Sequence, residues 1–121
     1  MKRVMIVDDN KDLSDMICEI LRRENYEVTA KYDGEQAIES LAAGDKYDLV
    51  LTDIIMPEQD GYDVLNYIRK EKLGIPVIVM SGGGAVVAVD EILLTAKAFA
   101  CDILSKPIQF DELTDKVKKW A

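Results

Sequence analysis

The chain alternates between short apolar runs and longer stretches of helical periodicity from one end to the other. Four of the apolar runs have the length of a strand, and the last is shorter. The five runs lie at about Arg3–Val7, Tyr26–Ala30, Asp48–Thr52, Val77–Met80 and Ile103–Leu104. Strands that alternate with helical stretches indicate repeated βα units around a parallel sheet. With 121 residues, the chain is expected to form one domain. The pattern therefore predicts an α/β fold, a doubly wound (βα)5 sandwich over residues 1–121.

Capping residues and apolar faces mark the helices between these strands. Asn10 can cap the first helix. The expected apolar face of that helix comprises Leu13, Met16, Ile17, Ile20 and Leu21. Asp33 with Gln36 resembles a capping box for the second helix, which Gly44 is placed to end. The expected apolar face of the last helix comprises Phe110, Leu113, Val117 and Trp120. Met16, Met56 and Met80 are interpreted as packing residues in the core or near the site.

One helical stretch, Val86–Leu94, is apolar on more than one side. Two interpretations of this stretch stay open. The first is that the helix is simply well buried. The second is that its outer side, together with the last helix, forms a surface for a protein partner or for self-association.

Polar residues follow four of the five predicted strands at the point where each strand ends. In order along the chain they are Asp8 and Asp9, Asp53, Ser81, and Lys106. In an open parallel sheet, ligands bind outside the carboxyl ends of the strands, near the point where the strand order reverses. We therefore expect these five side chains to gather in one crevice, with Asp53 at its centre.

Three carboxylates in one crevice repel one another, and without compensation at least one of them would be pushed towards its neutral form. A divalent cation and the ammonium group of Lys106 are the natural compensation. Because the candidate ligands are oxygen atoms, without histidine or cysteine, the ion is expected to be Mg²⁺. A carboxylate beside a metal, an ammonium group and a hydroxyl suits phosphoryl transfer, in which the carboxylate attacks phosphorus and becomes an acyl phosphate.

The composition excludes several other classes of function. The formal net charge is −8 and the isoelectric point is about 4.5, which argues against direct binding to nucleic acid or to an anionic membrane. The chain has no histidine, so histidine-based catalysis and the usual zinc sites are excluded. Cys18 and Cys101 lack metal-ligand spacing and are interpreted as buried or half-buried free thiols. Free thiols indicate a reducing compartment, and we expect a cytoplasmic protein.

The ordered set of motifs at the strand ends resembles the receiver domains of two-component response regulators. The set comprises Asp8-Asp9, Asp53 with Met56-Pro57 and Asp60-Gly61, Ser81, and Lys106-Pro107. The resemblance covers essentially the whole chain and extends to stand-alone receivers. It implies a flavodoxin-like, five-stranded parallel sheet in the order 2-1-3-4-5. It also implies a cis peptide bond between Lys106 and Pro107.

The resemblance further implies a role for each residue of the crevice. Asp53 would accept a phosphoryl group from a histidine kinase or a phosphotransfer protein. Lys106 would contact that group, and the hydroxyl of Ser81 would move to meet it. Phosphorylation would change the affinity for a partner. The chain would assist its own phosphorylation and dephosphorylation without being an enzyme for an external substrate.

For Mg²⁺, the resemblance implies direct binding by Asp9, by Asp53 and by the backbone carbonyl of Ile55. Asp8 would contribute through a water molecule. The cofactor implied is therefore one Mg²⁺ ion held entirely by oxygen atoms, in agreement with the ion expected from the residue types alone.

Ile103 departs from the family pattern, because receivers usually carry an aromatic residue three positions before the lysine. This departure keeps a second hypothesis open, a pseudo-receiver that binds partners without being phosphorylated. A third hypothesis is a Mg²⁺-dependent phosphohydrolase that forms an aspartyl-phosphate. Such enzymes usually place the nucleophile after the first strand in an Asp-x-Asp arrangement, which Asp8-Asp9-Asn10 does not match.

Overall fold

The computed structural model describes residues 1–53, 61–81 and 100–121 of the chain. Five parallel strands form one sheet in the order β2-β1-β3-β4-β5. Their bounds are Arg3–Val7 (β1), Glu27–Lys31 (β2), Leu49–Asp53 (β3), Val77–Ser81 (β4) and Asp102–Ser105 (β5). The predicted α/β class, the parallel sheet and the strand order are confirmed.

Helices connect the strands at the positions that the capping residues predict. The described helices are Lys11–Arg23 (α1), Gly34–Ala42 (α2), Gly61–Lys70 (α3) and Phe110–Trp120 (α4). The side chain of Asn10 accepts the N–H of Leu13, and that of Asp33 accepts the N–H of Gln36. Gly44, just beyond α2, has a φ of 93°, a backbone conformation that glycine adopts without a steric penalty.

Apolar side chains fill both faces of the sheet. On one face, strand residues such as Val50 and Val79 pack with α2 and α3 through Leu41 and Leu65. On the other face, the buried residues of the strands, α1 and α4 include Ile6, Ile17, Leu21, Leu51, Ile78, Met80, Leu104, Leu113 and Val117. All five residues of β3 and of β4 are buried. A strand that is covered on both faces has a continuous apolar sequence. This is why β3 and β4 could be predicted.

Two residues assigned to apolar faces lie largely at the surface, so those assignments were wrong. Met16 is 40% exposed and Phe110 is 49% exposed. On α1, Ile17 and Leu21 are completely buried against the sheet. Met16 lies to one side of this buried face of the helix and is not covered. Phe110 is the first residue of α4, and Leu113, one turn later, carries the packing instead.

Other expectations from the sequence have mixed outcomes. In the predicted capping box, Gln36 accepts the backbone N–H of Tyr32 rather than that of the cap residue itself. The cis peptide bond between Lys106 and Pro107 is confirmed. Cys18 is buried and Cys101 half-buried, and both are free thiols, as expected.

Several expectations concern residues outside the described ranges. They are the apolar stretch Val86–Leu94, the carbonyl of Ile55, and the motif residues Met56-Pro57 and Asp60. Within residues 1–53, 61–81 and 100–121, no helix has both the length and the apolar character needed to cross a bilayer.

Candidate functional site

The first component of the site is the turn that follows β1. Asp8 is completely buried, and its backbone N–H donates to the carbonyl of Lys31 at the end of β2. Its Oδ1 accepts the backbone N–H of Asn10 at 2.9 Å, which is the local hydrogen bond that aspartate forms with the residue two positions ahead. Because Asn10 also caps α1, one turn both fixes the Asp8 carboxylate and starts the helix.

The second component is Asp53, the last residue of β3. It is 7% exposed, and it lies opposite Met80 in the register with β4. The hydroxyl of Thr52 donates to the backbone carbonyl of Asp53 at 3.1 Å. Strand pairing on both sides of β3 therefore places this acidic side chain at the carboxyl edge of the sheet, next to the end of β1.

Lys106 joins these two components. Its Nζ donates to Oδ2 of Asp8 at 2.9 Å and to Oδ2 of Asp53 at 3.1 Å. Burial opposes the charged form of the lysine, but the hydrogen bonds and charges of the two carboxylates outweigh it. The pKa of Lys106 therefore lies above its usual value of 10.5, and the side chain is a cation at neutral pH.

Asp9 supplies a third carboxylate to the same place. One carboxylate oxygen from each of Asp8, Asp9 and Asp53 can be chosen so that all three lie within 4.8 Å of one another. Asp9 is exposed, whereas the other two carboxylates are buried. Among the described residues, one lysine and three carboxylates gather here, so these side chains together carry an excess of negative charge. An oxygen-only donor set with excess negative charge fits a hard divalent cation such as Mg²⁺.

Ser81 lies at the same edge of the sheet. It is the last residue of β4 and is 8% exposed. Its backbone carbonyl accepts the N–H of Lys106 at 2.8 Å, and Ser105 lies opposite it in β5. The structure thus brings together the five side-chain positions that the sequence predicts at the carboxyl edge.

Two features of the structure were not predicted, one at this edge and one at the start of β5. The first is the backbone N–H of Asn10, which holds Asp8; the aspartate–asparagine spacing of two is a turn signal that could have revealed it. The second is a cluster of Asp102, Lys116 and Trp120 on the outer side of β5. No local sequence pattern identifies that cluster, because β5 and α4 meet only through the fold.

Comparison with known proteins identifies one family. The model of the response regulator receiver domain matches residues 4–118. Among curated proteins, the transcriptional regulatory protein CpxR of Escherichia coli is 33% identical over 118 residues. The uncharacterized transcriptional regulatory protein YcbL of Bacillus subtilis is 38% identical over 114 residues. These alignments cover 98% and 94% of this chain but 48% of each relative. The chain therefore spans about half the length of these curated relatives.

Solved structures agree with this match. The response regulator TrrA of Thermotoga maritima, solved in complex with Mg²⁺ and BeF, is 36% identical, and the alignment covers 100% of both chains with a TM-score of 0.84. The receiver domain of the Francisella response regulator 1452 is 28% identical, with a TM-score of 0.84 and coverage of 99% of this chain and 96% of that one. The similarity therefore extends over the whole fold.

Proposed function

The chain belongs to the family of response regulator receiver domains, and on that premise we propose that it is a Mg²⁺-dependent phosphoacceptor in two-component signalling. Asp53 is the proposed acceptor. The observation that carries this proposal is the position of Lys106, whose Nζ bonds both Asp8 and Asp53 beside a third carboxylate. Lys106 therefore places a cation against one oxygen of a buried carboxylate at the sheet edge.

The chemistry proposed for Asp53 is nucleophilic. One carboxylate oxygen forms a bond to phosphorus while the bond between phosphorus and the donor's leaving atom breaks, and the leaving group keeps that electron pair. Lys106, 3.1 Å from Oδ2 of Asp53, lies where it can stabilise negative charge on the transferred group. Ser81 is the proposed hydroxyl that contacts the phosphoryl group afterwards.

Mg²⁺ is the proposed cofactor, held by Asp9, Asp53 and the backbone carbonyl of Ile55. Asp8 contributes through water, in keeping with its carboxylate already accepting hydrogen bonds from Asn10 and Lys106. When bound, the ion would supply positive charge that favours transfer of the phosphoryl group.

The proposed partners are a histidine kinase or a phosphotransfer protein as donor, and a downstream protein whose affinity changes on phosphorylation. Val86–Leu94 with the last helix remains the proposed surface for that protein. We propose that residues 1–121 form one receiver domain that works in the cytoplasm and has no external substrate. The proposal that it does not bind nucleic acid directly is limited to these residues, because the transcriptional relatives are about twice as long.

The test is the intact mass of the protein after incubation with acetyl phosphate, with Mg²⁺ or with a chelator. We expect a Mg²⁺-dependent gain of one phosphoryl group in the parent and in Asp12→Asn, a control for an exposed aspartate on α1. Asp53→Asn should show no gain. A phosphoryl group on Asp53→Asn would overturn the assignment of the acceptor.

Failure of the parent to gain mass, in a folded protein that still binds Mg²⁺, would favour the pseudo-receiver hypothesis. The family match and the intact acidic site do not favour that alternative. Ile103 is the feature that motivates this alternative, because it stands where receivers usually carry an aromatic residue.

A further inference from the structure

The sheet has two outer strands among those that the structure describes, β2 and β5. An outer strand presents backbone N–H and C=O groups that a strand from another chain can pair with, and such pairing leads to unwanted association. The hydrogen-bond partners of these backbone groups therefore indicate whether a second copy of the chain can pair with the strand.

On β5, both backbone groups of Ile103 are bonded to side chains. Its N–H donates to Oδ1 of Asp102 at 2.9 Å, and its carbonyl accepts Nζ of Lys116 from α4. Lys116 also lies 3.0 Å from Oδ1 of Asp102. A single ion pair therefore occupies the donor and the acceptor in the middle of the strand.

Further contacts hold this pair in place. The indole Nε1 of Trp120 donates to Oδ2 of Asp102 at 3.0 Å, and Glu112 lies 3.5 Å from Nζ of Lys116. Burial raises the pKa of Asp102, but the hydrogen bonds from Trp120, from the Ile103 N–H and from Lys116 lower it by more. The pKa therefore lies below its ordinary value, and Asp102 is ionised at neutral pH. We name Asp102, Lys116 and Trp120 the β5 clamp.

The other edge has a related arrangement. Nη2 of Arg22, in the last turn of α1, donates to the backbone carbonyl of Val28 at 3.2 Å. Val28 lies in β2, as Ile103 lies in β5. At both edges, a long basic side chain from a helix therefore donates to a backbone carbonyl within the outer strand. That carbonyl is then not available to a strand from another chain.

We propose that the β5 clamp closes the outer edge of the sheet to strand addition by a second copy of this chain. A strand that added at Ile103 would need the N–H and carbonyl that Asp102 and Lys116 occupy, and it would have to displace a charged side chain from both. This proposal is independent of phosphorylation, because none of the clamp residues belongs to the acidic site.

The test compares Lys116→Met with Lys118→Met, a control at an exposed position of the same helix. Methionine keeps an unbranched side chain but cannot donate to the Ile103 carbonyl. Light scattering across a concentration series, without phosphodonor, gives the self-association constant of each folded variant. We expect at least tenfold tighter self-association for Lys116→Met than for the parent and the control.

A second substitution locates the new contact. Ile103→Pro in the Lys116→Met background removes the N–H that a second strand would use, and proline is tolerated on an outer strand. We expect this double variant to return to the association state of the parent. Tight association that persists in the double variant would place the contact elsewhere and overturn the proposal.

Equal self-association of folded Lys116→Met and Lys118→Met would also overturn it. If circular dichroism shows that Lys116→Met does not fold, Lys116→Gln takes its place as a shorter side chain that cannot span the same distance. For that variant, tighter association supports the proposal and unchanged association contradicts it.

Discussion

Two lysines on the β5 side of the molecule are surrounded by carboxylates in different ways. Lys106 bonds Asp8 and Asp53, and Asp9 adds a third carboxylate within the same small volume. Lys116 bonds Asp102, a carboxylate that also accepts the N–H groups of the Ile103 backbone and the Trp120 indole. Among the described residues, the first cluster has three carboxylates to one lysine. In the second, Glu112 also lies 3.5 Å from Lys116, but the carboxylate of Asp102 already has three donors.

The difference is the one expected between a cluster that can bind a further cation and a contact whose carboxylate is already satisfied. Excess carboxylates in a partly buried crevice repel one another. A bound metal ion relieves this repulsion, which favours its binding. A carboxylate with three donors gains little from any further partner. Both clusters contain a lysine paired with carboxylates. They differ in the number of carboxylates around the lysine and in the number of hydrogen-bond donors to each carboxylate.

The largest expected effect comes from Lys106→Met. Removing one partner of a buried ion pair costs about 3–5 kcal/mol, and we expect the lower end of this range because the Lys106 side chain is 21% exposed. Urea unfolding in the presence of a chelator measures the loss. Lys118→Met, at an exposed position, should change the free energy of unfolding by less than about 0.5 kcal/mol. Equal stability of the two variants would contradict the importance of the Lys106 contacts.

Magnesium should distinguish the two clusters directly. At a concentration of about 100 times its Kd, Mg²⁺ should raise the free energy of unfolding of the parent by about 2.7 kcal/mol. Asp9→Asn should lose most of this gain, because it removes one proposed ligand. Asp102→Asn should keep all of it, because Asp102 is not a proposed ligand and its carboxylate already has three donors. Thermal unfolding with matched ionic strength is the measurement, and an equal loss in both variants would remove the distinction.

A smaller effect is expected from Asp102→Asn itself. Hydrogen bonds to charged groups contribute about 1.5–3 kcal/mol, and because the Asp102 side chain is 23% exposed, we expect a loss of about 1 kcal/mol. The pKa of Asp102 lies below its ordinary 3.8 in the folded protein. Its contribution is therefore present above pH 3.8 and is lost as the pH falls through the lower folded value. The stability difference between parent and variant should be constant near pH 7 and shrink below about pH 4. A difference that grows on acidification would contradict the assigned contacts.

The smallest effect concerns Cys101. Burial, and next the charge of Asp102, raises the pKa of this thiol to about 11, so it should react slowly with disulfide reagents at pH 8. Asp102→Asn removes the second cause and should speed the reaction about threefold, which corresponds to about half a pKa unit. A Cys18→Ala background isolates the signal of Cys101. Lys118→Met in that background serves as the control and should react at the parental rate.

Much of the fold and of the candidate site could be predicted from the sequence, because the signals are local. A strand covered on both faces is a continuous apolar run, as β3 and β4 are, and a polar residue directly after such a run lies at the end of the strand. The parallel arrangement then brings Asp8, Asp53 and Ser81 to one edge, whatever the details of packing. The caps of α1 and α2 were equally local and were predicted at Asn10 and Asp33.

What the sequence alone determined is therefore the order of the strands and helices and the edge at which the acidic residues meet. The tertiary structure decided which apolar positions are covered, since Met16 and Phe110 have the right periodicity but lie beyond the reach of the neighbouring elements. It also decided which charges pair. Lys106 reaches Asp8 across 98 positions of sequence, and Lys116 holds the edge strand from the following helix. Such pairs depend on distances between elements, which packing fixes and no local pattern encodes.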